Sequence, residues 1–246
     1  MGKRGQVTVF VIIAIFLVIG VVLILYTQTD ILGKRLERVP GVAAIKSEIQ
    51  NCLDTTALEG IRAIGLQGGY TFLPNLTFST NLSSIAYSYY EGKKTLISIS
   101  SMADEINKYV SLMLPKCVDF TKWPDFDVGF KTITSNTIIQ NNLVKIDIKW
   151  PVTLTKETTY SLDSFTTTIP IRLGLIYNIT NTIVNGEIKD PTLIDIGYLV
   201  IVKNAYGMNI DLVPYNTTII YSITDPLSKF GNSYINYTFF FANKFK

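Results

Sequence analysis

Val144-Lys145-Ile146-Asp147-Ile148-Lys149-Trp150 alternates apolar and charged residues without a break, and Asn141-Asn142 supplies a turn just before it. Successive side chains of a strand point to opposite faces, so Val144, Ile146, Ile148 and Trp150 read as one face and Lys145, Asp147 and Lys149 as the other. A sheet therefore organises this half of the chain. Further strands are expected at Tyr160 to Thr168, Tyr198 to Lys203, Asn216 to Ile223 and Tyr234 to Ala242, all rich in β-branched and aromatic residues. Between them Leu173, Ile176, Tyr177, Thr180, Ile183 and Val184 recur at helical spacing, which predicts a helix within Ile171 to Ile188 packed on the sheet.

Upstream of Trp123 the period is helical. Val42, Ile45, Ile49, Cys52, Leu53, Thr56 and Ile64 share one face of a helix that ends at Gly68-Gly69, and Pro40 kinks or restarts it after the polar stretch from Asp30 to Val39. This is a stalk helix or the first helix of the head, and residues 30–69 are assigned to a stalk. Ser101 and Asp104 form an N-terminal capping pair for a second helix carrying Met102, Ile106, Tyr109, Val110, Met113 and Leu114, which Pro115 stops.

At the start of the chain, Lys3 and Arg4 precede an uncharged run whose apolar part is Val7 to Tyr26. About twenty helical residues span about 30 Å, the hydrocarbon thickness of a bilayer. The expected architecture is thus α+β, with an N-terminal transmembrane helix in residues 1–29 (cytoplasmic tip 1–6), a helical stalk in 30–69, and an extracytoplasmic head in 70–246. In that head a mainly antiparallel β-sheet packs with helices.

Lys3-Arg4-Gly5-Gln6-Val7-Thr8-Val9-Phe10, running into the apolar segment, resembles the class III signal sequence of archaeal type IV pilin-like proteins. That resemblance implies processing between Gly5 and Gln6. Phe10 stands where the family carries a Glu that pairs with a neighbouring subunit's N-terminal amine. Cys52-Leu53, Gly65-Leu66-Gln67-Gly68-Gly69-Tyr70, Tyr89-Tyr90, Leu114-Pro115-Lys116-Cys117 and Phe241-Ala242-Asn243-Lys244-Phe245 resemble uncharacterised membrane-anchored surface proteins of DPANN archaea. The second resemblance covers nearly the whole chain and implies location and architecture, not an activity.

Positive charge lies on both sides of the apolar run, Lys3 and Arg4 before it and Lys34, Arg35 and Arg38 after it, so the charge balance does not orient it. Two other features favour a head outside the cytoplasm. Cys52 and Cys117 are the only cysteines, the number a single disulfide in an oxidising compartment needs. Such a bridge would join two amphipathic helices, and the alternative is two buried free thiols. Asn-x-Ser/Thr sequons begin at Asn75, Asn81, Asn178, Asn216 and Asn236, against roughly three expected from the composition.

The chain has no histidine, which removes Ser-His-Asp and Cys-His catalysis and the commonest transition-metal ligand. Gly65-Leu66-Gln67-Gly68-Gly69 lacks the Lys-Ser/Thr of a phosphate-binding loop and reads as a helix terminator. Asp125 and Asp127 would need several more oxygens to hold calcium, and Asp104 with Glu105 reads as helix N-terminal charge. A formal charge of +3 over 246 residues gives no reason to expect nucleic acid. No enzyme activity, metal or cofactor is expected. Tyr70, Tyr87, Tyr89 and Tyr90 form the candidate binding surface, since tyrosine rings stack on ligands while their hydroxyls bond outward.

The functional expectation is a single-pass membrane protein with a structural or interaction role at an archaeal cell surface. Its partners would be membrane lipid and other envelope or surface proteins, further copies of itself included. The alternative is a type IV pilin-like filament subunit processed before Gln6.

Overall fold

Strand β6 (Val144–Thr155) carries the alternating face through twelve residues, with Val144, Ile146, Ile148, Trp150, Val152 and Leu154 all buried. β7 (Thr159–Ile169) follows it as an antiparallel hairpin along one edge. The other edge is shared end to end by β4 (Asp127–Phe130) and β5 (Thr134–Ile139), both antiparallel to β6. The β6–β7 register shifts between Lys149 and Val152, where Pro151 lacks an N–H for the ladder, yet the even-numbered residues stay inside throughout. The computed structural model describes residues 14–19, 40–80, 83–230 and 235–246 of the chain.

A second sheet is built from strands far apart in sequence. Its order is β1 (Thr77–Ser79), β2 (Ser84–Tyr90), β10 (Asn236–Lys244), β9 (Thr218–Lys229) and β8 (Asn209–Tyr215), with the short β3 (Lys93–Lys94) also on β2. Every pair is antiparallel except β2 with β10, which run parallel, Ala242 opposite Tyr87. The fold is α+β, with two sheets where the sequence suggested one.

Helix α1 (Pro40–Leu66) packs on α2 (Ile99–Cys117), on β7 of the first sheet and on β10 of the second. Its residues Val42, Ile45, Ile49, Leu53, Ala57, Ile61 and Ile64 are buried, spaced three or four apart from one end to the other. A single core cluster joins these to Met102 and Ile106 of α2, to Trp150 of the first sheet, and to Tyr221, Phe239 and Phe241 of the second. This overturns the stalk for residues 40–66. Helical periodicity shows that a helix has an apolar stripe, not what covers it, and here both sheets and α2 do.

The transmembrane helix is corrected as well. The helical residues described near the N-terminus are the six at 14–19, and among the described residues no helix is long and apolar enough to cross a membrane. The remainder of the run from Val7 to Tyr26 lies outside the described residues, together with Gly5, Gln6, residues 20–39 and Asn81.

α2 starts one turn earlier than its sequence signal, at Ser98, whose hydroxyl accepts from Ser101 N–H at 3.0 Å, and Pro115 sits inside its last turn. The helix expected near Ile171 to Ile188 is α3 (Leu173–Lys189), which packs against β2, β3 and β10. Tyr198 to Lys203, expected as a strand, lies instead in helix α4 (Ile196–Tyr206) on β8. Its caps decide the matter: the Asp195 side chain accepts from Tyr198 N–H at 2.9 Å, and Gly207 takes the left-handed conformation that ends the helix. These end signals outweigh the strand propensity of Tyr-Leu-Val-Ile-Val. β9 begins two residues later than expected, because Asn216, with φ of 52°, and Thr217 form the turn from β8.

Candidate functional site

Cys52 on α1 and Cys117 at the end of α2 form a disulfide, with Cα atoms 5.7 Å apart and a separation of 65 residues. It ties together two helices that already share the core. Glu105 of α2 fastens the segment leading out of α1: its carboxylate accepts from the N–H groups of Thr71 and Phe72 at 3.0 and 3.1 Å and from the Thr71 hydroxyl at 2.8 Å. The acid read as helix N-terminal charge thus organises the loop that carries Tyr70.

The four candidate tyrosines do not form one surface. Tyr87 and Tyr90 meet edge to face at 5.1 Å, and Lys244 Nζ lies 4.7 Å from the Tyr90 ring centre. Tyr89 is buried and packs on Phe245 at 5.5 Å; strict alternation would leave it beside Tyr87, but the register against β10 slips by one residue between Tyr87 and Tyr89, so that Tyr90 meets Tyr87 instead. Tyr70 is half-buried against the main core, and burial, then the Glu105 carboxylate, holds its hydroxyl above the usual range. What remains of the surface is the Tyr87–Tyr90 pair.

Beside that pair the β1–β2 hairpin folds over the outer face of the second sheet, bringing Phe78 of β1 within 5.3 Å of Tyr215 on β8. The space beneath is an open groove of about 760 Å³ lined by Leu66, Leu73, Ile85, Val213, Ile220 and Phe240. Of the sequons, Asn75 is exposed just before β1 and Asn216 is exposed in the β8–β9 turn. Asn178 lies on α3, where the Thr180 hydroxyl of its sequon is buried without a partner, and Asn236 opens β10. Asp125 pairs with Lys156 at 2.9 Å. Among the described residues there is no cluster of three acidic or cysteine groups that could hold a metal.

The most organised polar chemistry was not among the residues the sequence singled out. α3, α4 and the loop between them enclose a pocket of about 390 Å³, with Glu187 and Tyr221 on its wall. Glu187 is only 3% exposed. One of its carboxylate oxygens accepts from the Tyr221 hydroxyl and the other from the Asn243 side-chain amide. Burial pushes the carboxyl above its usual range, and the two donors oppose that shift without cancelling it. Burial, followed by the nearby carboxylate, likewise pushes the Tyr221 hydroxyl up. Asn243 Oδ1 is buried with no partner of its own.

Several features hold this arrangement in place. Tyr221 stacks on Phe241 at 4.7 Å, the planes nearly parallel. Lys94 of β3 reaches across to α3 and donates to the side-chain oxygens of Asn181 and Asn185 at 2.5 and 2.8 Å. The Asp190 carboxylate folds the loop after α3 by accepting from Thr192 N–H and Oγ1 at 3.0 and 2.7 Å. At the rim, Gly186 sits inside α3, where glycine disfavours a helix by about 1 kcal/mol relative to alanine. A Cβ there would meet nothing within 4 Å, so no steric demand accounts for the glycine.

A sequence signal for Glu187 existed. Thr180, Ile183, Val184 and Glu187 continue the apolar stripe of α3 by steps of three and four, which places an acid on the buried face. No known protein family matches the chain, and neither a curated protein nor a solved structure matches it.

Proposed function

We propose that the protein works outside the cytoplasm as a membrane-attached structural or interaction module of an archaeal cell surface, binding rather than transforming its partners. The observation that carries this reading is the Cys52–Cys117 disulfide, which pairs the only two cysteines of the chain. A lone disulfide persists in an oxidising compartment and is reduced in most cytosols. The exposed sequons at Asn75 and Asn216 accord with the same compartment, and the groove beneath the β1–β2 hairpin offers a partner an apolar floor of Leu66, Leu73, Ile85, Val213, Ile220 and Phe240.

The test uses intact cells that make the protein. Protease added outside is expected to digest the head, and alkylation in denaturant without reductant is expected to leave Cys52 and Cys117 unlabelled. A protected head with both thiols alkylated would overturn the reading. A mature N-terminus at Gln6, found on subunits of an isolated filament, would replace it with the pilin-like alternative.

A further inference from the structure

We infer that the pocket between α3 and α4 binds a small organic cation, a primary amine, with the Glu187 carboxylate as its counter-charge. Three observations converge on that ligand, and none depends on where in the cell the protein resides.

The first is an unbalanced charge. Glu187 is buried, its two hydrogen-bond donors are the neutral side chains of Tyr221 and Asn243, and among the described residues no lysine or arginine pairs with it. Lys94 is turned to Asn181 and Asn185, and Lys189, on the pocket wall, is exposed and forms no ion pair with Glu187. A buried carboxylate is costly to hold without a counter-charge. Each of its oxygens keeps a further lone pair after accepting one bond, so an ammonium group can be added without displacing Tyr221 or Asn243.

The second is the chemistry of the walls. Ile183, Ile194, Leu199 and Tyr198 give the pocket apolar sides for a carbon skeleton; of the charged residues on its wall, Asp195 shares the sign of Glu187 and Lys189, which is exposed, opposes it without pairing with either. Apolar walls with fixed polar groups to orient the ligand are how small-molecule sites are generally built. The third is Gly186, next to Glu187 in sequence. Gly186 lines the pocket and a Cβ there would meet nothing within 4 Å, so a bulkier side chain at that position would take up space now open beside Glu187.

Burial raises the proton affinity of the Glu187 carboxyl, and an ammonium bound beside it acts in the opposite direction, toward the ionised form. Amine binding therefore lowers the proton occupancy of Glu187, and any proton it gives up passes to the solvent. The covalent structure of both partners is unchanged.

The experiment is calorimetric titration of the full-length protein with benzylamine and n-butylamine, repeated in two buffers of different ionisation enthalpy. Saturable binding is expected, with a buffer-dependent heat that reports proton release. Glu187→Gln should weaken it at least tenfold, and benzyl alcohol should not bind. Gly186→Leu, which fills the rim and leaves Glu187 in place, should abolish binding without lowering the unfolding midpoint. That variant keeps the test decisive if Glu187→Gln fails to fold. Absence of saturable binding by both amines, equal binding of benzyl alcohol, or undiminished binding by a folded Glu187→Gln or Gly186→Leu variant would each overturn the assignment.

Discussion

Arg172, the residue before α3, lays its guanidinium against Asp225 of β9: Nε donates to one carboxylate oxygen at 2.9 Å and Nη2 donates to the other. Nη2 also donates to the Tyr206 carbonyl at the end of α4, at 3.0 Å, so one side chain joins α3, α4 and the second sheet. The Asp225 side chain is 0% exposed and that of Arg172 18%. Arg172→Met is expected to destabilise the protein by about 3 to 5 kcal/mol, because it strands a buried carboxylate. Urea denaturation at neutral pH measures this, and a loss below about 1 kcal/mol would show the pair to be dispensable.

Acid should expose the same contact. Burial alone would raise the Asp225 carboxyl, but Arg172, the Ser228 hydroxyl and the Leu227 N–H outweigh it and hold the group below the usual range. A depressed carboxylate adds stability above its unfolded value, about 3.9, and that stability is lost as pH falls through the lower folded value. Asp225→Asn should flatten the acid limb of the stability curve below about pH 4, measured by thermal melts across pH. An unchanged limb would assign the acid loss to other groups.

Glu187 should act with the opposite sign. Its folded carboxyl is raised, so the native state binds a proton more tightly than the unfolded chain does, and stability falls as pH rises from about 4.3 through the folded value. Glu187→Gln removes that slope. The wild-type-minus-variant difference in melting temperature should therefore shrink or change sign between acid and neutral pH, and a constant difference would refute the assignment.

The disulfide is expected to contribute about 2 to 5 kcal/mol. The double variant Cys52→Ala, Cys117→Ala, compared with the oxidised protein by denaturant titration, reads this directly. Treating the wild type with reductant should move its midpoint most of the way to that of the variant.

Two glycines in helices should respond in opposite directions to alanine. A Cβ at Gly65 would lie 2.5 Å from the Thr238 carbonyl oxygen and 3.0 Å from the Tyr237 ring, where α1 meets β10. Gly65→Ala should destabilise by about 1 to 3 kcal/mol, as overpacking does. Gly186→Ala should stabilise by about 0.5 to 1 kcal/mol. Paired melts of the two variants check the contrast.

Some of the fold was legible because one side of an element meets water. β6 shows its alternation through Lys145 and Asp147, and α2 and α3 show their stripes against polar faces. α4 was misread because apolar residues surround it, with Ile196, Val200 and Ile201 exposed and Val202 buried, leaving no period to detect. The second sheet was hidden because β2 and β10 pair across most of the chain, and local pattern carries no record of such partners. At the pocket, Glu187 and Asn243 each occupy a place in an apolar series, on α3 and in the alternation Phe239, Phe241, Asn243. The series was readable, but the meeting of its polar exceptions was a product of tertiary packing.

The parallel pairing of β2 with β10 also dictates the order in which the molecule can assemble. A chain delivered from its N-terminus has α1, α2 and all of β4 to β7 in hand by residue 169, so the oxidised cysteine pair and the first sheet can form early. β2 and β9 have no shared partner until residues 236–244 arrive to lie between them. Pairings of such long range are slow, because loop-closure entropy must be overcome before any contact rewards it. Docking of β10 is thus the step expected to be slowest, and a chain interrupted before it would hold two unfinished ribbons, each with a bare edge open to a neighbouring chain.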